Sequence, residues 1–160
     1  MALDLATLPA PPAAGEGDDP ARQAARLLGG EAVLGVEVQG EADFVDVLDR
    51  GVPLAALDHL AGRALAWEEI ERLIISRRAL AARRAKGQPL TLAESERAVR
   101  VASIVALAEE TFADEDKAHL WLRRASAALG GRRPLDLLET EPGARMVERL
   151  LYQTAYGIAA

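Results

Sequence analysis

The side chains in this sequence best suited to chemistry are cations. Between Arg72 and Ala93 stand six basic residues, Arg72, Arg77, Arg78, Arg83, Arg84 and Lys86, and no acidic one. A guanidinium near the start of a helix can bond a guanine edge bidentately, and cations further along can sit on phosphates. Arg77 and Arg78 are therefore expected as base readers of DNA, with Arg83, Arg84 and Lys86 as phosphate contacts. The plainer alternative is a solvated helix face, which charge runs usually are. Catalytic sets are scarce. The two histidines, His59 and His119, lie far apart in helical stretches. Asp114-Glu115-Asp116 hints at a metal near His119, yet acids at a helix start already suit the helix dipole. Glu68-Glu69 and Glu109-Glu110 are adjacent pairs that point in different directions around a helix and make no dyad. With no cysteine, no glycine-rich phosphate loop and no Ser-His-Asp set, the expectation is no enzyme, no metal and no cofactor.

These cations need a helix-turn-helix to present them. Trp67 to Ile74 reads as one short helix with Ile70 and Leu73 inward. A break follows at Ile75-Ser76, and Ser76 caps a basic helix that Gly87 closes. In that motif the second helix enters the major groove. Upstream, Phe44, Val45 and Leu48 share a face that Gly51 ends, and Leu54, Leu57 and Leu60 recur in the next helix. Residues 31–40 favour a loop or a lone strand, and Ala21 to Leu28 a short helix. The Pro- and Ala-rich residues 1–20 read as a disordered tail.

Downstream, Thr91-Leu92-Ala93-Glu94 is a capping box, opening a helix with Val101, Ile104, Val105, Ala108 and Phe112 on one stripe. Asp114 caps the next, with Ala118, Trp121 and Leu122 inward. Gly130-Gly131 then permits backbone angles that stop a helix, Pro134 opens a short one, and Thr140 caps a last helix with Pro142 in its first turn. That helix carries Met146, Val147, Leu150 and Leu151 at core spacing. Gly130, Gly131, Pro134 and Asp136 are expected to hold the corner that aims it, Asp136 capping or pairing locally. The fold class is all-α.

Size and charge set bounds. The chain has 160 residues, half of them hydrophobic, and a net charge of −6. Residues 61–93 carry seven basic and three acidic side chains, while residues 1–60 carry three and eleven. The acidic whole argues against coating nucleic acid indiscriminately, but a local basic block can still grip phosphates within a Debye length of about 8–10 Å. No apolar run approaches the roughly 18 residues that span a bilayer, and Met1-Ala2-Leu3-Asp4 gives no basic leader. A soluble, cytoplasmic protein is expected.

The ordered string Leu129-Gly130-Gly131, Pro134-Leu135-Asp136-Leu137-Leu138, Thr140, Gly143, Val147, Leu150 and Tyr156-Gly157 resembles the toxin-binding signature of the Xre/MbcA/ParS antitoxins. Glu94-Ser95-Glu96-Arg97, Phe112, Lys117-Ala118 and Trp121-Leu122 extend the likeness. Residues 68–86 resemble the degenerate Xre-type helix-turn-helix of the same family. One departure is Arg124-Ala125-Ser126-Ala127, where relatives commonly carry a proline. The resemblance leaves an N-terminal region, residues 1–40, outside it and implies an Xre-like part at 41–93 and a toxin-binding part at 94–160. It further implies a RES-domain toxin that degrades NAD or transfers ADP-ribose. The antitoxin, a homodimer within a larger complex, would plug the toxin's NAD pocket and repress its own operator. On that reading Arg145 and Arg149, four apart, pair with toxin carboxylates. Tyr152 and Tyr156 supply aromatic contact, Gly157 lets the chain turn, and Ile158 leads a small tail into the pocket. One tyrosine of such a pair often faces the core instead. The rival reading is a stand-alone helix-turn-helix regulator whose C-terminal part only dimerises.

Overall fold

The computed structural model describes residues 19–157, and within them every named element is helical. Ile158 and nearly all of the expected tail lie outside the described residues. Asp19 caps α1 (Pro20–Leu27) by accepting the Ala21 amide at 2.8 Å. One turn, α2 (Glu31–Leu34), follows where a loop or lone strand was expected. Gly35, with φ of 69°, ends it at once, so the β-branched residues beyond never pair. A 3-10 turn at Glu41–Asp43 leads into α3 (Phe44–Arg50), and then come α4 (Ala55–Arg63), α5 (Trp67–Leu73) and α6 (Arg77–Lys86).

The Thr91–Glu94 capping box forms as read. Glu94 accepts the Thr91 amide at 3.0 Å and Thr91 Oγ1 accepts the Glu94 amide at 3.2 Å, opening the 21-residue α7 (Leu92–Phe112). At about 1.5 Å per residue such a helix runs ~30 Å. It is the axle of the fold: α1, α3, α5, α8 (Glu115–Arg123) and α9 (Glu141–Ala155) all pack on it. Val101, Ile104, Val105 and Ala108 are buried along it, and Phe112 meets the Trp121 ring at 5.5 Å. Residues 20–28, which the sequence places outside any packed part, thereby join the core through Ala24, Ala25, Leu27 and Leu28.

Two expected core positions face solvent. Val45 is 59% exposed, because α3 turns Phe44 and Val47 inward instead. Met146 is 44% exposed, while Ala144, Val147, Leu150 and Leu151 carry the packing of α9. Apolar spacing at three and four residues admits neighbouring stripes, and the partner surface chooses between them.

The segment before α7 is tied both to that helix and to the segment after it. Arg97 donates to the Ile74 carbonyl at 2.8 Å, satisfying the end of α5. Arg72 reaches Asp136 at 2.9 Å, in the 3-10 helix Pro134–Glu139.

Candidate functional site

Two surfaces follow from this scaffold, one on α6 and one on α9. The hydroxyl of Ser76 accepts the Ala79 amide at 3.2 Å, so α6 starts where the sequence places it. Leu80 is the buried residue that anchors it, and the remainder is Ala and cation. The block that looks unopposed in sequence is largely opposed in space. Arg72 bonds Asp136 and lies 3.7 Å from Glu139, Arg77 bonds Glu71 at 2.8 Å, and Arg84 reaches Asp58 at 3.4 Å. Arg84 also lies 5.7 Å over the Trp67 ring.

Arg83 is the most committed of the set. Its guanidinium donates to both oxygens of Glu94, at 3.2 and 3.4 Å, with the carboxylate side chain only 10% exposed. Burial pushes the Glu94 carboxyl up, but the Arg83 guanidinium and the Thr91 amide outweigh it and hold the group below its usual range. Arg83 therefore fastens α6 to α7. Arg77 differs: its side chain is 80% exposed and its pair with Glu71 is solvated. Arg78 and Lys86 are exposed and make no ion pair with a described residue. Arg84, 53% exposed with an equally solvated partner, also faces outward, so the outward cations of α6 are Arg77, Arg78, Arg84 and Lys86.

The second surface is built by the corner before α9. Gly130 and Gly131 take positive φ, 66° and 80°, ending the 3-10 turn Ala127–Leu129, and Ser126 pairs with Arg132 across them. The Ser126 amide donates to the Arg132 carbonyl at 3.0 Å and closes the turn. Pro134 opens the next 3-10 helix, and Thr140 accepts the Gly143 amide at 3.1 Å to start α9. Gly143 is required there for space, because a β-carbon would overlap the Leu137 carbonyl. Asp136 pairs locally with Arg133 at 2.8 Å, as expected, and also with Arg72, which the sequence does not indicate.

The corner leaves one face of α9 uncovered. Arg145, Glu148, Arg149, Tyr152, Gln153 and Tyr156 line a shallow cavity of about 370 Å³ on it. Neither tyrosine enters the core: Tyr152 is 44% exposed and Tyr156 50%. Partial burial and the carboxylates of Glu148, Glu110 and Glu41 raise the Tyr152 phenol above its ordinary value. Arg145 leans on Glu141 at 3.4 Å, and Arg149 makes no ion pair with a described residue. Gly157 is exposed with φ of 65°. Four of the residues expected at this surface thus share one cavity, and Gly157 follows directly after.

The groups considered for catalysis have other employment. His119 Nε2 lies 2.7 Å from Glu109 Oε1, and Gln23 donates to Glu109 Oε2 at 3.0 Å, so this histidine is packed and partnered. His59 is exposed on α4, and Asp114 caps α8 by accepting the Lys117 amide. Among the described residues no group of histidine and acid side chains is placed to hold a metal, and no helix is long and apolar enough to cross a membrane.

Comparison with known proteins divides along the same lines. Residues 43–103 match the antitoxin Xre-like helix-turn-helix domain, and residues 107–157 match the antitoxin Xre/MbcA/ParS C-terminal toxin-binding domain. The chain is 40% identical over 84 residues to Antitoxin Xre of Pseudomonas putida, covering 52% of this chain and 53% of that one. It is 34% identical over 85 residues to the Prs ADP-ribosylating antitoxin of a Sphingobium species, covering 48% and 54%. To Antitoxin Xre of Yersinia enterocolitica it is 30% identical over 128 residues, covering 78% and 86%. The first two alignments span about half the length of those relatives.

Proposed function

The chain belongs to the Xre/MbcA/ParS antitoxin family, and from that premise we propose that it neutralises a RES-domain, NAD-consuming toxin by laying the open face of α9 and the residues after it into the toxin's NAD pocket. One observation carries the reading: Arg145, Arg149, Tyr152 and Tyr156 converge on one solvent-facing cavity inside the region matched as toxin-binding. Tyrosines half in water, beside an arginine without an internal partner, are the makings of an interface hot spot. Gly157 lets the chain turn off the helix, and Ile158 would be the first tail residue to enter the pocket. The role is binding, with no catalytic step of its own. The name of the Sphingobium relative joins an antitoxin to ADP-ribosylation of Prs, which favours a toxin that transfers ADP-ribose from NAD over one that only degrades it.

The test is to induce the product of the gene adjacent to this chain's own and follow cellular NAD and growth. Three strains are compared: one without this chain, one with it whole, and one with it cut after the buried Leu151. Protection by the whole chain and not by the truncated one supports the plug. Equal protection by both removes it.

A second reading stands beside the first: α6 contacts operator DNA, in a homodimer that represses its own promoter. Its support is the outward set Arg77, Arg78, Arg84 and Lys86 on a Ser76-capped helix within the matched helix-turn-helix. Arg83, held by the buried Glu94, would serve that contact by fixing the helix. A promoter fragment that fails to bind at low salt would remove this second role.

A further inference from the structure

Beside the open face of α9 runs a groove whose apolar floor none of these assignments uses. Its floor is α7, with α3 along one wall and α9 along the other, and it holds two adjoining hollows of about 760 and 510 Å³. Leu48, Val99 and Ile104 line both hollows, and Val45, 59% exposed, sits on the lip. From Glu96 to Leu107 the floor covers eleven helical steps, about 16 Å or three turns.

The rim is acidic. Glu41, Glu96, Glu141 and Glu148 ring the groove, with Arg100 and Arg145 as the cations among its lining residues. Both cations bond Glu141, at 2.9 and 3.4 Å. Glu41, Glu96 and Glu148 make no ion pair with a described residue. A second copy laid face to face would bring these carboxylates against themselves, which an isologous interface does not tolerate well. An apolar trough with unpaired acids along its edges fits a segment of opposite pattern.

Continuity says whose segment it is. Arg145 and Glu148 line both the α9 cavity and the groove, and so do Glu148 and Tyr152 on the neighbouring hollow. A protein that covers the open face of α9 must therefore lie against the groove. We propose that the groove is a second seat for the toxin, taking an amphipathic helix of about three turns. Its apolar stripe rests on Val45, Leu48, Val99 and Ile104, and its flanking Lys and Arg reach Glu41, Glu96 and Glu148. The proposal rests on the toxin-binding reading above.

Its test uses the full chain, immobilised, with the purified product of the adjacent gene, the candidate toxin, in solution. Glu96→Arg and Val45→Arg change exposed side chains, so both variants are expected to fold. Glu96→Arg should slow association about tenfold at low salt, and the difference should fade as salt rises, as for a steering charge. Val45→Arg should speed dissociation by a similar factor. If both variants keep wild-type rates while truncation after Leu151 abolishes binding, the groove proposal is overturned and the plug survives. If the wild-type chain itself does not bind, the toxin reading falls and this one with it. If toxin rates hold but Val45→Arg turns a dimer into a monomer in sedimentation, the occupant is a second copy and the proposal is overturned.

Discussion

Arg123 on α8 grips Glu69 on α5 with two nitrogens, at 2.7 and 3.1 Å, and the same guanidinium donates to the carbonyls of Ala64 and His119. The two residues lie in regions matched by different domain families. A fork that satisfies a carboxylate and two carbonyls at once is the geometry arginine offers and lysine lacks. The pair fastens the helix-turn-helix to the toxin-binding part.

Arg123→Ala should therefore cost about 2 kcal/mol in urea unfolding, because Glu69 and two carbonyls lose a donor in a half-buried place. Arg123→Lys should recover under half of that. A loss below about 0.5 kcal/mol for the alanine variant would mean the clamp is ornamental.

Acid should weaken the fold at the same joints. Burial raises the carboxyls of Glu69 and Glu94, but Arg123 with the Ala66 amide, and Arg83 with the Thr91 amide, bring both below the ordinary 4.5. A carboxyl lowered in the folded state adds stability above its unfolded value, and that stability is lost as pH falls through the folded one. Unfolding free energy should hold down to about pH 5 and fall below 4.5. Glu94→Gln should start lower and show a shallower acid limb in a pH series of urea titrations.

Two glycines separate space from torsion. Gly143→Ala must push a β-carbon into the Leu137 carbonyl, so a loss of at least ~2 kcal/mol is expected, with α9 displaced. Gly130→Ala meets open space and pays for its positive φ alone, about 1 kcal/mol. Similar losses for both would contradict the overlap at Gly143.

On the open face of α9 stability and function should part company. Tyr152→Ala, Tyr156→Ala and Arg149→Ala are each expected to leave the melting transition within about 0.5 kcal/mol. Each should weaken toxin inhibition tenfold or more, the scale of a hot-spot residue. A variant that loses stability and inhibition in equal measure would return that tyrosine to ordinary packing.

On α6 the cations should divide likewise. Lys86→Ala should weaken promoter binding across sequences and lower the salt slope by about one, while Arg78→Ala should narrow the preference for the promoter over unrelated DNA, with the fold unchanged in both. Arg83→Ala should destabilise the protein by leaving Glu94 without its partner.

Much of this was legible in the residues, and the reason is local. Thr91 with Glu94, Ser76, Asp114, Thr140 and the glycine pair each act within three or four positions, so their spacing alone sets where helices begin and end. The cavity on α9 was legible for the same reason, since residues four apart must share a helix face. What depended on distant partners was hidden. Nothing near Arg83 announces Glu94 as its anchor, and nothing near Arg72 announces Asp136. Val45 and Met146 have core residue types, and only the packing of α3 and α9 on α7 turned them outward. The acidic groove, assembled from elements far apart in the chain, had no signal in any one of them.

The helix α7 runs unbroken from residue 92 to residue 112, across the interval between the two matched families. Because each step along a helix turns it by about 100°, one residue inserted between 103 and 107 would swing everything after it by that angle. The clamp of Arg123 on Glu69, the bond from Arg72 to Asp136 and the groove walls would all lose register together. Recombination that trades toxin-binding parts between relatives must therefore preserve length across this seam to the residue, even where it is free to change the sequence on either side.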